Sequence, residues 1–172
     1  MSKVIKLELT TESINSAIRE VEAFQKYIED KTQELLDEMA RLGYETSAFN
    51  FSWAAYDGTN DVSVNWERSG ENQVAVVATG KAVLFVEFGS GITFPDSHPE
   101  ANGLGMIRGE YGKKQGANPD GWYYRGDPGT YGIQNSKGKV HTYGNPANMS
   151  MYQAIRDVER DFTDIARRVF SG

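Results

Sequence analysis

The stretch Val86-Glu87-Phe88-Gly89-Ser90-Gly91-Ile92 (VEFGSGI) sets one acid between two large apolar residues and then breaks on two glycines. Glycine reaches backbone conformations closed to other residues, so Gly89 and Gly91 end an apolar segment and launch a loop from it. Glu87, flanked by Val86 and Phe88, reads as a buried or interfacial acid that requires a hydrogen-bond or basic partner. The run Lys81 to Phe88 is apolar and too short for its periodicity to decide its type; it reads as a short helix or tight helical turn. Beyond it, between Gly89 and Gly144, fall 13 of the chain's 18 glycines, with Tyr111, Trp122, Tyr123, Tyr124, Tyr131 and Tyr143 among them. Residues 89–144 therefore read as an extended loop insertion, a length that is uncommon unless the loop has a task. Within it, Trp122 to Arg125 and Lys139 to Tyr143 are expected to pair as strands.

On the N-terminal side the pattern is regular. Val4 to Leu9 alternates, with Ile5, Leu7 and Leu9 on one side, and predicts a short strand with one buried face. Ile14, Ile18, Val21, Phe24, Ile28, Leu35, Met39 and Leu42 recur at helical steps and predict a long amphipathic helix with an acidic solvated face, ending at Gly43. From Phe49 the period changes to two: Phe49, Phe51, Trp53 and Ala55, then Val62, Val64 and Trp66, then Val74, Val76 and Ala78. Turn-forming runs at Asp57–Asn60 and Arg68–Asn72 separate them, which predicts an antiparallel meander. On the C-terminal side, Met151, Ile155, Val158, Phe162, Ile165 and Val169 predict a second helix. Ser150 and Gln153 form a capping box at its start, and Pro146 is a rigid lead-in. The expected fold is α+β: one domain over residues 1–172, with the two helices packed on the meander and the long glycine- and aromatic-rich loop inserted.

The formal net charge of -6 disfavours a protein that grips nucleic acid through its phosphates. With no cysteine, neither a disulfide framework nor a thiolate metal site is possible. No signal peptide or membrane-spanning run is visible, so the expectation is a product made in the cytoplasm with no membrane partner. The histidines, His98 and His141, are too few for a three-histidine metal site. Asp96-Ser97-His98 has the residue types of a catalytic triad, but neighbours in a turn rarely aim at one point, and an Asx turn before Pro99 is the plainer reading. Gly80-Lys81 lacks the spacing of a phosphate-binding loop, and no strand leads into Gly103-Leu104-Gly105. The acids Asp96, Glu100, Glu110, Asp120 and Asp127 read as solvated loop carboxylates, and Glu87 as the buried or interfacial acid, rather than as a source of a glycosidase pair. No catalytic, cofactor or metal residues are therefore assigned, and the chain is not expected to be an enzyme. The loop aromatics suit stacking on sugars and equally suit anchoring a protein interface.

The apolar Val83-Leu84-Phe85-Val86-Glu87-Phe88-Gly89-Ser90-Gly91, the loop's Trp122-Tyr123-Tyr124, and Gly144-Asn145-Pro146-Ala147 before a helix resemble, in that order, the tail-completion and neck proteins of long-tailed bacteriophages. That family takes its name from the tenth gene product of a lambdoid siphophage and carries a "VEFGTG"-like segment and a later "G-x-PA". The motif match covers residues 83–91, 121–125 and 144–154. Asn148-Met149-Ser150 stands where the family commonly has a proline and a bulky apolar residue. The resemblance implies a structural virion protein, assembled in the bacterial host cytoplasm as a homo-oligomeric ring, six-fold by analogy with tail tubes. Such a ring would lie between the connector or head-closure protein and the tail terminator or tail tube, with DNA passing through its channel without sequence-specific binding. Glu87, Phe88, Gly89, Gly91, Trp122, Tyr123, Tyr124 and Pro146 are then the expected hinge and interface residues, with valine at Gly89 or Gly91 acting on ring formation before folding. The alternative is a carbohydrate-binding module whose platform is Trp122, Tyr123, Tyr124 and Tyr131.

Overall fold

The computed structural model describes residues 8–91, 97–106 and 120–171. Helix α1 (Thr11–Ser52) leads into β1 (Ser63–Gly70), β2 (Gln73–Thr79) and the short α2 (Val83–Glu87). Strands β3 (Trp122–Tyr124), β4 (Ile133–Gln134) and β5 (Val140–Thr142) follow, and α3 (Ser150–Ser171) closes the chain. The fold is α+β, with an antiparallel β1-β2 hairpin and a separate antiparallel sheet in the order β3-β5-β4.

Helix α1 is longer than its apolar stripe predicts. It does not stop at Gly43, and the stretch beginning at Phe49, expected as the first strand of a meander, is its last turn. The buried residues Ala40, Gly43, Ser47 and Phe51 follow one another at helical steps. Phe49 and Trp53, four apart, share the solvent side with ring centroids 6.1 Å apart, whereas Phe51 is buried on the opposite side. An alternation of aromatics over five residues thus came from two faces of one helix. Gly43 is in the helix because two elements crowd it: a Cβ there would lie 3.3 Å from Val76 Cγ2 and 3.6 Å from Val158 Cγ2. The helix ends where Asn60 donates its side-chain amide to the Phe51 carbonyl at 2.7 Å. The expected strand at Val4–Leu9 lies mostly outside the described residues. Of its described part, Leu9 is in a bend before α1 and 95% exposed, and Thr10 caps α1 by accepting from the Ser13 N–H.

Helices α1 and α3 pack antiparallel. Near one end the Asn50 amide donates to Gln153 Oε1 at 3.2 Å, and at the other the Tyr27 hydroxyl donates to the Phe170 carbonyl at 3.2 Å. Arg168 completes the seam with an ion pair to Glu38 at 2.8 Å. The hairpin lies on another side of α1, its tip held by Arg68, which binds Asp37 at 2.5 Å and also donates to Gln33. Phe51, Ala82 and Val86 form the buried cluster where the end of α1, the hairpin and α2 converge, with Val64, Ala78 and Met151 packed around it.

Helix α2 confirms the helical reading of Lys81 to Phe88. Asp61 holds its start, accepting from the N–H groups of Lys81 at 3.0 Å and Ala82 at 2.9 Å. Those two donors hold the Asp61 carboxyl below the usual carboxylate range. Strands β3 and β5 pair as expected, with Trp122 opposite Thr142 and Tyr124 opposite Val140. Strand β4 was not foreseen, because two residues between turns carry no period.

Candidate functional site

The sequence around VEFGSGI makes a joint that closes the base of the long loop. Ser90 and Asn145 exchange backbone hydrogen bonds, the Ser90 N–H to the Asn145 carbonyl at 2.8 Å and the Asn145 N–H to the Ser90 carbonyl at 3.1 Å. The two segments cross so closely that a Cβ on Gly91 would lie 2.1 Å from the Tyr143 carbonyl oxygen, and one on Gly144 2.0 Å from that of Ser90. Gly91 and Gly144 also have φ of 81° and 112°. The glycines thus draw the returning chain against the outgoing one, while the launch of the loop expected after Gly91 lies outside the described residues. Asn148 and Met149 then donate their N–H groups to the Val86 and Glu87 carbonyls, tying the end of α2 to the start of α3.

Glu87 supplies the second half of the joint. Its side chain is buried, and its carboxylate accepts from the N–H of Met151 at 2.8 Å and of Tyr152 at 3.0 Å. It therefore caps α3 from an element more than sixty positions upstream, where a helix terminus has unsatisfied N–H groups and favours negative charge. This replaces the expected capping box. Ser150 is the first helical residue, its hydroxyl accepts from the Asn148 amide, and Gln153 faces Asn50. Met149, at φ 56°, makes the turn that frees the first N–H groups for Glu87.

His98 is the other partner of Glu87. Its Nδ1 accepts the Glu100 N–H at 3.0 Å, which places the ring proton on Nε2, directed at Glu87 Oε1 3.3 Å away. The ring is buried between Phe88, at 4.5 Å between centroids, and the edge of Tyr152, at 5.3 Å. Ser97 accepts the Ala147 N–H on its hydroxyl at 2.9 Å. Both nitrogens of His98 are therefore occupied, and neither is left to act as a base toward Ser97. Asp96, like Glu110 and Tyr111, lies outside the described residues.

The three-stranded sheet is fastened beside the joint by Asp57, buried between α1 and the loop. It accepts the Thr142 hydroxyl at 2.6 Å and the Tyr131 N–H at 2.9 Å. Trp122, Tyr124, Val140 and Thr142 share the sheet face toward Asp57, while Tyr123, His141 and Ile133 share the other. Burial, then the negative charges of Asp57 and Asp127, push the Tyr124 phenol well above its ordinary range, and its hydroxyl donates to the Asp127 carbonyl at 2.6 Å. On the outer face, Tyr123 and Tyr143 flank the His141 ring at 4.7 and 4.9 Å, and His141 Nε2 donates to the Asp120 carbonyl at 2.7 Å.

Of the expected hinge and interface residues, Glu87, Phe88, Gly89, Gly91 and Pro146 come together in the joint, while Trp122, Tyr123 and Tyr124 lie in the sheet and divide between its faces. Sequence reasoning missed Asp57, Asp61 and His98 as anchors; Asp57 read only as a turn residue and Asp61 was not singled out, since their partners lie far away in the chain. Among the described residues no group of three or more histidine or acidic side chains could hold a metal ion, and no helix is long and apolar enough to cross a membrane. Comparison of the chain with protein-family models, with curated proteins and with solved structures gave no match.

Proposed function

We propose that the chain is a structural subunit of a phage tail or tail-like particle, forming a neck or tail-completion ring that joins the head connector to the tail tube around a DNA channel. The joint carries this reading. The two segments that most resemble the neck family, residues 83–91 and 144–154, bond to each other through Ser90, Asn145 and Glu87. The surface of a single copy also favours assembly: Ile14, Ile18, Val21 and Phe24 are each at least 40% exposed along one stripe of α1.

The sugar-binding alternative has less support, because Tyr123 lies on the opposite face of the sheet from Trp122 and Tyr124. The deciding experiment is to delete the reading frame from its parent genome and image the lysate by negative-stain electron microscopy. Filled heads separate from tails, or tails of uncontrolled length, restored by complementation, are expected. Intact particles that fail only to adsorb would reject the ring and favour the sugar-binding module.

A further inference from the structure

An apolar groove of about 340 Å³ runs between the hairpin and α3, floored by Met39 and Gly43 of α1 and walled by Val74 and Val76 on one side and Ile155 and Val158 on the other. From the hairpin it takes residues of β2 and none of β1, so the unpaired edge of β2 borders it. Among the described residues β2 makes backbone ladder bonds only to β1. An open strand edge beside an apolar trough is a template for one more strand.

The chain has a segment of the matching pattern. Residues 4–9 place Ile5, Leu7 and Leu9 on one side and Val4, Lys6 and Glu8 on the other. Three alternate strand residues span about 13 Å, and the groove's α3 wall from Met151 to Val158 is about 10 Å long. Leu9 is 95% exposed in the single copy. It cannot reach its own groove: Thr11 and Met39 are separated by about 42 Å of continuous helix, and two residues of extended chain reach about 7 Å.

We propose that this groove receives residues 4–9 of a second copy of the chain, added as a strand along the free edge of β2. The inference names the contact between copies in the proposed ring and relies on that reading only for closure. Because donor and acceptor surfaces differ, the contact is heterologous and joins copies head to tail.

The chain has no cysteine, so introduced thiols report the contact without background. Full-length L7C, carrying a size tag, is mixed with full-length I155C and oxidised; Ile155 is 56% exposed, so its replacement spares the fold. A reducible heterodimer in excess of either homodimer is expected, and the double variant should give bands beyond the dimer. A double variant that stops at dimers would support the contact as a reciprocal exchange and count against a ring. Light scattering of a variant lacking residues 1–9 should show a monomer where the intact chain is multimeric. A multimer unchanged by that deletion, with no heterodimer, overturns the contact and leaves the ring reading standing. An intact chain that is monomeric at every concentration overturns both.

Discussion

Glu87 is the residue on which most of the joint depends. Replacing it by alanine strands the Met151 and Tyr152 N–H groups and the His98 ring proton in a buried site, and each unsatisfied group costs about 1–3 kcal/mol. Glu87→Ala is therefore expected to lower the unfolding free energy by about 3 kcal/mol or more in urea titrations, with Glu87→Gln losing less because its remaining carbonyl oxygen still accepts. Gly91→Ala should cost at least about 2 kcal/mol by the same measurement, since a positive φ is added to a backbone clash. This puts the effect of Gly91 on folding itself, ahead of any effect on assembly. Asp61 predicts the pH response. Its folded pKa is lowered, so its contribution is complete above the ordinary carboxylate range near 4 and lost as pH falls through the folded value. The stability gap between the native chain and Asp61→Asn should accordingly narrow between pH 6 and pH 3; a gap that stays constant would show that the bonds to Lys81 and Ala82 do not depend on the charge. The chemistry of Glu87 was legible in the sequence, because an acid between Val86 and Phe88 has to find donors. Its partners were not, since they come from an element that only folding brings near.

At the scale of elements, the long helices were legible because their stripes run for many turns, and the two shortest decisions were not. The aromatics at 49, 51 and 53 satisfy a two-residue period over too short a window to exclude a helix, and burial of Phe51 beneath the hairpin and α2 settled it. Truncating that residue, Phe51→Ala, should cost about 3–5 kcal/mol. Arg68→Ala, at the half-exposed hairpin tip, should cost no more than about 1 kcal/mol. A thermal-melt series containing both variants would check the contrast, which follows from burial and not from the number of bonds broken. Strand β4 shows the other limit, since Ile133 and Gln134 are a strand only because β5 lies alongside.

The whole molecule is asymmetric in a way its sequence pattern half reveals. The apolar stripe of α1 runs from Ile14 to Leu42 with only Thr32 interrupting it, but α3 ends near Tyr27, so the first 16 residues of the helix extend for about 24 Å without α3 beside them. Periodicity marks that surface as one to be covered and is silent on what covers it. Ile18→Glu should leave monomer stability within about 0.5 kcal/mol of the native chain, while shifting the proposed ring to smaller species in sedimentation. Such a split would separate the molecule's interior from its contacts. A parallel loss of stability would mean instead that the stripe is packed within the subunit.

The bonds between Ser90 and Asn145 also have a meaning for how the chain can change. They clip the two ends of a stretch of more than fifty residues, so what lies between can vary in length without moving α2 or α3. Closing a flexible loop of twice the length costs only about 0.6 kcal/mol more. The turn between β4 and β5, where Gly138 has open space around it, is then a natural docking port for foreign sequence. An epitope spliced between Ser136 and Lys137 should be displayed to antibody with the fold intact, which makes this turn a ready-made handle on the protein.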